Sequence, residues 1–178
     1  MMPWIGPLLP LAALIWPLLL GGLTALPQAR GMAVRLLPFA PLPALWLALA
    51  GGDSVTVVPD LLLGVTLELD ATRRTLLGTT AALWTVAGLA VQTMPGKPNM
   101  AVFSGFWCFV LTGNLGVFLA RDVVTFYVSF AAVSLASWAV VAVARESVRA
   151  SAAHHAAAGR ISPRPMIAEA PSAATCAT

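Results

Sequence analysis

The stretch that decides the fold is residues 112–141, TGNLGVFLARDVVTFYVSFAAVSLASWAVV, which is apolar almost throughout. Its only charges are the adjacent pair Arg121 and Asp122, which separates two apolar runs. A bilayer core about 30 Å thick requires roughly 20 mostly apolar residues for each crossing helix. The pattern therefore predicts two antiparallel membrane helices joined by a tight charged turn, in which Asp122 caps the second helix.

The composition of the whole chain indicates the same class of protein. Of its 178 residues, 59% are hydrophobic and 10% are charged, whereas soluble domains have about 25% charged residues. This composition excludes a soluble enzyme. The ten cations are spread one or two at a time and form no stripe that could follow the phosphates of a nucleic acid. We expect an integral membrane protein whose surroundings are the lipid bilayer, with no nucleic-acid partner.

Five stretches are long and apolar enough to cross a bilayer, and they predict an all-α, polytopic helix bundle within residues 1–145. The first stretch lacks the cationic start and the small-residue cleavage site of a signal peptide, so we expect a retained helix. The second is the shortest, and its three prolines must lie in its first turns or kink it. The predicted spans are residues 4–26, 34–50, 74–94, 101–120 and 123–144.

One long loop, residues 51–73, separates the second span from the third. Apolar and polar residues alternate in its segment GVTLELD, residues 64–70, which is the period of a strand with one buried face. We predict a short extended segment or hairpin lying on the membrane surface. Asp70 or Thr72 is expected to cap the third span.

The distribution of cations predicts the orientation, because Lys and Arg in short loops stay preferentially on the cytoplasmic side. With the N-terminus outside, seven of the ten cations are cytoplasmic: Arg30, Arg35, Lys97, Arg145, Arg149, Arg160 and Arg164. We therefore predict a multi-pass protein of the inner (plasma) membrane with its C-terminus in the cytoplasm. Its tail, residues 146–178, is expected to be helical to about Gly159 and disordered beyond that residue.

Three features between residues 60 and 142 resemble a known family. They are Leu67-Glu68-Leu69-Asp70 before the third span, the stretch from Leu115-Gly116 to Asp122, and the aromatic-rich run from Phe126-Tyr127 to Trp138. Together they resemble the beginning of the antiporter-like, proton-conducting subunits of respiratory complex I, Mrp-type antiporters and membrane-bound hydrogenases. The resemblance implies a short antiporter-like subunit of a proton-translocating or energy-coupling complex, with other integral membrane subunits as partners and the N-terminus outside.

The chain departs from that family in two respects. The family places a glutamate in the fifth helix, where it pairs with a lysine of the seventh, and this position is Ala131 here. Family members also have many more helices, so we expect either a truncated member or a short split subunit. Ionisable residues inside a membrane are the usual mark of a proton path, and the predicted spans contain none in their interior. We therefore expect no transport by the chain itself. The alternative is an accessory structural scaffold subunit of a respiratory or photosynthetic complex.

Six residues are candidates for a structural or polar-path role: Asn114, Arg121, Asp122, Tyr127, Ser129 and Ser134. For Asn114 we favour a hydrogen bond to a neighbouring helix over a water file. For Tyr127 we favour an interfacial anchor over contact with a quinone or pigment. Small residues in the last two spans predict a seam for partner helices, formed by Gly113, Gly116, Ser129, Ala132 and Ser137.

No part of the sequence predicts catalysis, a cofactor or a metal site. Cys108 and Cys176 form no CxxC pair and no metal-ligand spacing. His154 and His155 are adjacent, so on a helix they point about 100° apart and cannot hold one metal ion together. We expect no disulfide, and we expect that the chain is not an enzyme.

Overall fold

The computed structural model describes residues 8–59, 64–93 and 99–161, and these residues are mostly helical. The two strands form one antiparallel hairpin between the third and fourth helices. The elements, in chain order, are α1 (Leu8–Leu23), α2 (Arg30–Arg35), a 3-10 turn (Leu37–Phe39), α3 (Leu42–Ala50), β1 (Ser54–Val58), β2 (Val65–Leu69), α4 (Ala71–Gln92), α5 (Met100–Leu119) and α6 (Val123–Ile161).

Among the described residues, three helices are long and apolar enough to cross a membrane: α4, α5 and the part of α6 from Val123 to Ala150. They correspond to the third, fourth and fifth predicted spans. The first two predicted spans correspond to shorter apolar helices, Leu8–Leu23 and Leu37–Ala50. At about 1.5 Å per residue, the 16 residues of α1 extend about 24 Å, which is less than the roughly 30 Å of a bilayer core. Three of the five predicted spans therefore correspond to helices long enough to cross a membrane, and the five-span bundle stays a prediction.

The prolines of the second predicted span divide it into pieces. Pro38 lies at the start of the 3-10 turn, and Pro41 precedes α3, which has Pro43 in its first turn. A proline has no backbone N–H and cannot continue the hydrogen-bond ladder of a helix. As a result, the segment 34–50 is not one continuous helix. It contains the end of α2, then the 3-10 turn, then the nine-residue helix α3.

Helix α5 lies at the centre of the molecule, between α1 and α6. Its inner face is buried, with Leu111, Leu115 and Leu119 fully enclosed. It crosses α6 closely, because a Cβ on Gly113 would lie 2.7 Å from Cγ2 of Val133. The predicted small-residue seam therefore exists, but it joins two helices of the same chain.

The predicted extended segment is strand β2, and it pairs with β1 in register from Ser54 opposite Leu69 to Val58 opposite Val65. Its apolar side is buried: Leu67 and Leu69 are 0% and 1% exposed. The prediction of a hairpin with one buried face is thus confirmed. The tip of the hairpin, residues 60–63, lies outside the described residues.

The alternating direction of the helices creates two polar ends. The hairpin, the start of α4 and the turn between α5 and α6 lie at one end, which we call the hairpin end. The other end holds Arg30 with Thr24, and the side chain of Gln92 donates a hydrogen bond to the carbonyl of Val34 there. Helix α6 continues to Ile161, in agreement with a helical tail to about Gly159. The predicted disorder beyond it concerns residues outside those described.

Candidate functional site

The charged side chains of the hairpin end come from three separate parts of the chain. Glu68 lies on β2, Arg73 lies in the first turn of α4, and Arg121 and Asp122 form the turn between α5 and α6. Asp70 precedes α4 and caps it, since its Oδ1 accepts a hydrogen bond from the backbone N–H of Arg73 at 2.7 Å. Of the two predicted caps for this helix, the structure uses Asp70. Because Asp70 acts as cap, α4 begins at Ala71, three residues before the predicted span.

The side chain of Asp122 accepts three hydrogen bonds at the hairpin end. Its Oδ1 accepts from the backbone N–H of Thr125 at 2.7 Å, which is the predicted cap of α6. Its Oδ2 accepts from the hydroxyl of Thr125 at 2.6 Å and from the backbone N–H of Thr66 at 2.9 Å. These bonds, first of all the bond from the Thr125 hydroxyl, lower the pKa of the Asp122 carboxyl to about 2. Asp122 is therefore ionised at neutral pH and fastens the hairpin to the start of α6.

The backbone of the helix turn also pairs with the hairpin. The N–H of Arg121 donates to the carbonyl of Thr66 at 2.9 Å, and Leu67 forms an isolated antiparallel bridge with Ala120. The turn thus lies alongside β2 and pairs with it through a single bridge. This pairing satisfies backbone groups of β2 that the edge of a two-stranded hairpin would otherwise leave open.

Arg73 links the start of α4 to the same turn. Its Nη1 donates to the carbonyl of Ala120 at 3.1 Å, and its guanidinium lies 3.4 Å from Glu68 and 3.5 Å from Asp70. Arg121 lies 3.8 Å from the other oxygen of Glu68. Since these side chains are partly exposed, each ion pair contributes little alone. Their effect is to fix the positions of three elements relative to one another.

This arrangement, which we call the junction, connects β2, the start of α4 and the turn between α5 and α6. The carboxylates of Glu68, Asp70 and Asp122 are each bound by an arginine or by backbone N–H groups. Within the described residues, no three His, Cys, Asp or Glu side chains are grouped as metal ligands. The positions of His154 and His155 side chains and of Cys176 are outside what the structure describes.

The remaining candidates lie along α5 and α6, and the structure does not bring them together. Asn114 donates to the carbonyl of Val110 in its own helix at 3.0 Å, so the expected bond to a neighbouring helix is not the one formed. Ser134 likewise donates to Phe130, one turn earlier in α6. A mid-helix polar side chain satisfies itself this way when no partner is in reach.

Ser129 and Tyr127 face different surroundings. Ser129 packs on α5, where a Cβ on Gly116 would lie 2.5 Å from its Oγ. Tyr127 is 64% exposed and contacts Phe126 edge-to-face, with the ring centroids 5.8 Å apart. Ala131, at the position of the family glutamate, is also exposed. Of the six candidates, only Arg121 and Asp122 are joined in one site.

Sequence reasoning did not identify Thr66, Arg73 and Thr125 as parts of the junction. The local signals for two of them were present: Thr125 follows Asp122 by three residues, the spacing of a cap, and Thr66 lies on the polar side of the alternating strand. The contact of Arg73 with Ala120 joins residues 47 positions apart. No local pattern encodes such a contact.

Comparison of the chain with protein-family models, with curated proteins and with solved structures finds no match. The assignment of a function consequently depends on the residues and their geometry.

Proposed function

We propose that this chain is a helical subunit of a larger proton-translocating or energy-coupling membrane complex, similar to an antiporter-like subunit, and that it does not transport by itself. The observation that carries the proposal is the exposure of α6. Only 6% of the residues in its apolar window are buried, against 50% in that of α5. Apart from the side that packs on α5, the surface of α6 is therefore open to contact with lipid or with other helices.

The composition of this exposed surface favours partner helices over lipid alone. It carries small and weakly polar side chains, among them Ala131 and Ser134, which permit close helix approach and hydrogen bonds between helices. It also carries the stacked pair Phe126 and Phe130, with ring centroids 6.2 Å apart. The seam first expected for partners is unsuitable, because Gly113 and Gly116 are already covered by α6.

The proposed type of complex, one that translocates protons or couples energy, is based on the family resemblance. The hairpin that leads into α4 and the charged turn held against it are two of the three features on which the resemblance depends, and here they form the junction around Asp122. The two polar ends also support the proposed five passes with the N-terminus outside. Arg73, Arg74 and Arg121 lie at the hairpin end, and Arg30 lies at the opposite end, which the cation count places in the cytoplasm.

The absence of transport by the chain alone is proposed from the residues of α5 and α6. Between Met100 and Leu119, and between Val123 and Ala144, the sequence has no ionisable group of the Asp, Glu, Lys, Arg or His type. Asn114 and Ser134 each donate one hydrogen bond to a carbonyl of their own helix. These observations equally favour the second candidate, an accessory scaffold subunit of a respiratory or photosynthetic complex, in which the fold is kept for assembly.

Two matched substitutions test the need for partners. Ala131→Trp places a large side chain on the exposed face of α6, and Ala82→Trp does the same on α4, where Ala82 is also exposed. After mild solubilisation of the native membrane, we expect the tagged wild-type chain to co-purify with other membrane subunits. Ala131→Trp should reduce that association and Ala82→Trp should preserve it. A chain that purifies as a monomer from native membranes, whatever the variant, would contradict the proposal.

A further inference from the structure

An open apolar groove of about 490 Å³ lies between α1 and α5, near the end where α5 begins. The two helices lie close together there, because a Cβ on Gly21 of α1 would lie 3.3 Å from the carbonyl oxygen of Gly105 in α5. Its walls are the partly exposed side chains of Leu18, Phe106 and Phe109. The groove is therefore an apolar cleft on the outer surface of the helix bundle, open to the bilayer.

One cation lies at this groove. The exposed side chain of Arg30 lines it, and its Nε donates to the carbonyl of Thr24 at 3.2 Å. In the part of the chain that the structure describes, the guanidinium of Arg30 forms no ion pair. Its position is thus fixed by a backbone acceptor, while its two terminal nitrogens keep the planar donor pair that binds phosphate in a bidentate manner.

We propose that this groove binds an anionic phospholipid, with an acyl chain between α1 and α5 and the phosphate at Arg30. The lining residues of α5, from Val102 to Phe109, extend about 10 Å along the helix, roughly two-thirds of the hydrocarbon depth of one leaflet. The groove thus accommodates the upper part of an acyl chain whose head group is at the level of the arginine. Basic pockets between membrane helices bind anionic head groups on the cytoplasmic side, where the proposed orientation places Arg30. The inference uses the proposed membrane location and orientation, and it does not depend on the proposed complex.

The contribution of the Arg30 charge to lipid binding can be measured on the purified full-length chain in detergent. Native mass spectrometry follows its titration with phosphatidylglycerol or phosphatidylcholine. Arg30→Gln should lower the affinity for phosphatidylglycerol about fivefold, since one basic residue near an anionic surface contributes an effect of that size. Arg35→Gln is the matched control, because Arg35 lies exposed on the same short helix and does not line the groove. Equal effects of the two substitutions would overturn the proposal, as would equal affinity of the wild-type chain for the two lipids.

The groove itself is tested by filling it. Gly22 lines the groove, and a Cβ there has no heavy atom within 4 Å, so we expect the side chain of Gly22→Leu to extend into the open groove. It should weaken binding of both lipids, whereas Gly31→Leu, at an equally open position outside the groove, should not. Excess inorganic phosphate should leave phosphatidylglycerol bound. Displacement by phosphate, or unchanged lipid binding by Gly22→Leu, would show an anion site without an acyl-chain site and would refute the proposal. Because the titration uses the isolated chain, its outcome is independent of whether partner subunits exist.

Discussion

The carboxylate of Asp122 accepts a hydrogen bond at 2.9 Å from the backbone N–H of Thr66, which lies 56 residues earlier in the chain. The same carboxylate caps α6 through Thr125. The Asp122 side chain therefore caps the start of α6 and also binds the hairpin that precedes α4. This double use makes the position of the hairpin dependent on the turn between α5 and α6.

Removal of the carboxylate should release the hairpin. In Asp122→Ala, the N–H of Thr66 and the first N–H groups of α6 lose their acceptor, so we expect faster hydrogen exchange in residues 64–69 and in the first turn of α6. Asp53→Ala is the control, because Asp53 is an exposed acid next to β1. Hydrogen exchange measured by mass spectrometry should distinguish the two variants. Unchanged exchange at Thr66 in Asp122→Ala would contradict the anchoring role.

The junction should be stable to acid over most of the accessible range. Folding lowers the pKa of Asp122 from 3.8 to about 2, so its stabilising effect is complete above the higher value and is lost as the pH falls toward the lower one. We expect hydrogen exchange at residues 64–69, corrected for its intrinsic pH dependence, to stay slow at pH 5 and to rise between about pH 4 and pH 2. Asp122→Asn should remove this pH step. An identical step in the variant would assign it to other carboxylates.

The contact between α5 and α6 should tolerate no added side chain unless space is made for it. A Cβ on Gly116 would lie 2.5 Å from Ser129 Oγ and 3.2 Å from Ser129 Cβ, so Gly116→Ala should destabilise the protein by about 1–3 kcal/mol through overpacking. Ser129→Ala removes the nearer atom, and the double variant should recover much of the loss. Thermal unfolding in detergent measures both effects. Additive losses in the double variant would show that the two residues do not pack as described.

The isolated chain should not conduct ions. Purified protein in liposomes is expected to give no proton or sodium flux above that of empty vesicles under an imposed gradient, because residues 100–119 and 123–144 contain no Asp, Glu, Lys, Arg or His. A fluorescent pH indicator inside the vesicles measures the proton flux. A saturable flux that Asn114→Leu abolishes would restore transport to the chain. In Ala131→Glu, the protein should stay stably folded in the membrane only if a partner helix or water contacts the new carboxylate at this exposed position.

The proposed orientation can be tested at the C-terminus. Seven of the ten cations lie on the side that the proposal makes cytoplasmic. Alkaline phosphatase fused after the tail, which is active only outside the cytoplasm, should therefore be inactive, and a fluorescent reporter that folds in the cytoplasm should be bright. The opposite pattern would reverse the orientation or change the number of passes.

Much of the local structure could be predicted from the sequence. The long apolar runs predicted α4, α5 and α6, the alternation of residues 64–70 predicted β2, and the spacing of Asp70 and Asp122 before apolar runs predicted two caps. Each of these features is encoded by one continuous stretch of the sequence. The apolar runs and the alternation act through periodicity along that stretch, and each cap acts within one helical turn. The length of the second span was predicted less well, because its prolines allow either a kinked helix or separate pieces.

What the sequence by itself determined is therefore the class of protein, the apolar helices and the two aspartate caps. Only the tertiary structure decided that Gly113 and Gly116 face α6 of the same chain, that Asn114 bonds within its own helix, and that Asp122 reaches Thr66. The physical reason is the range of the interactions. Hydropathy and capping are set by residues close together in the sequence. The partner of a small residue or a carboxylate depends instead on which helices pack side by side, and that is a property of the assembled bundle.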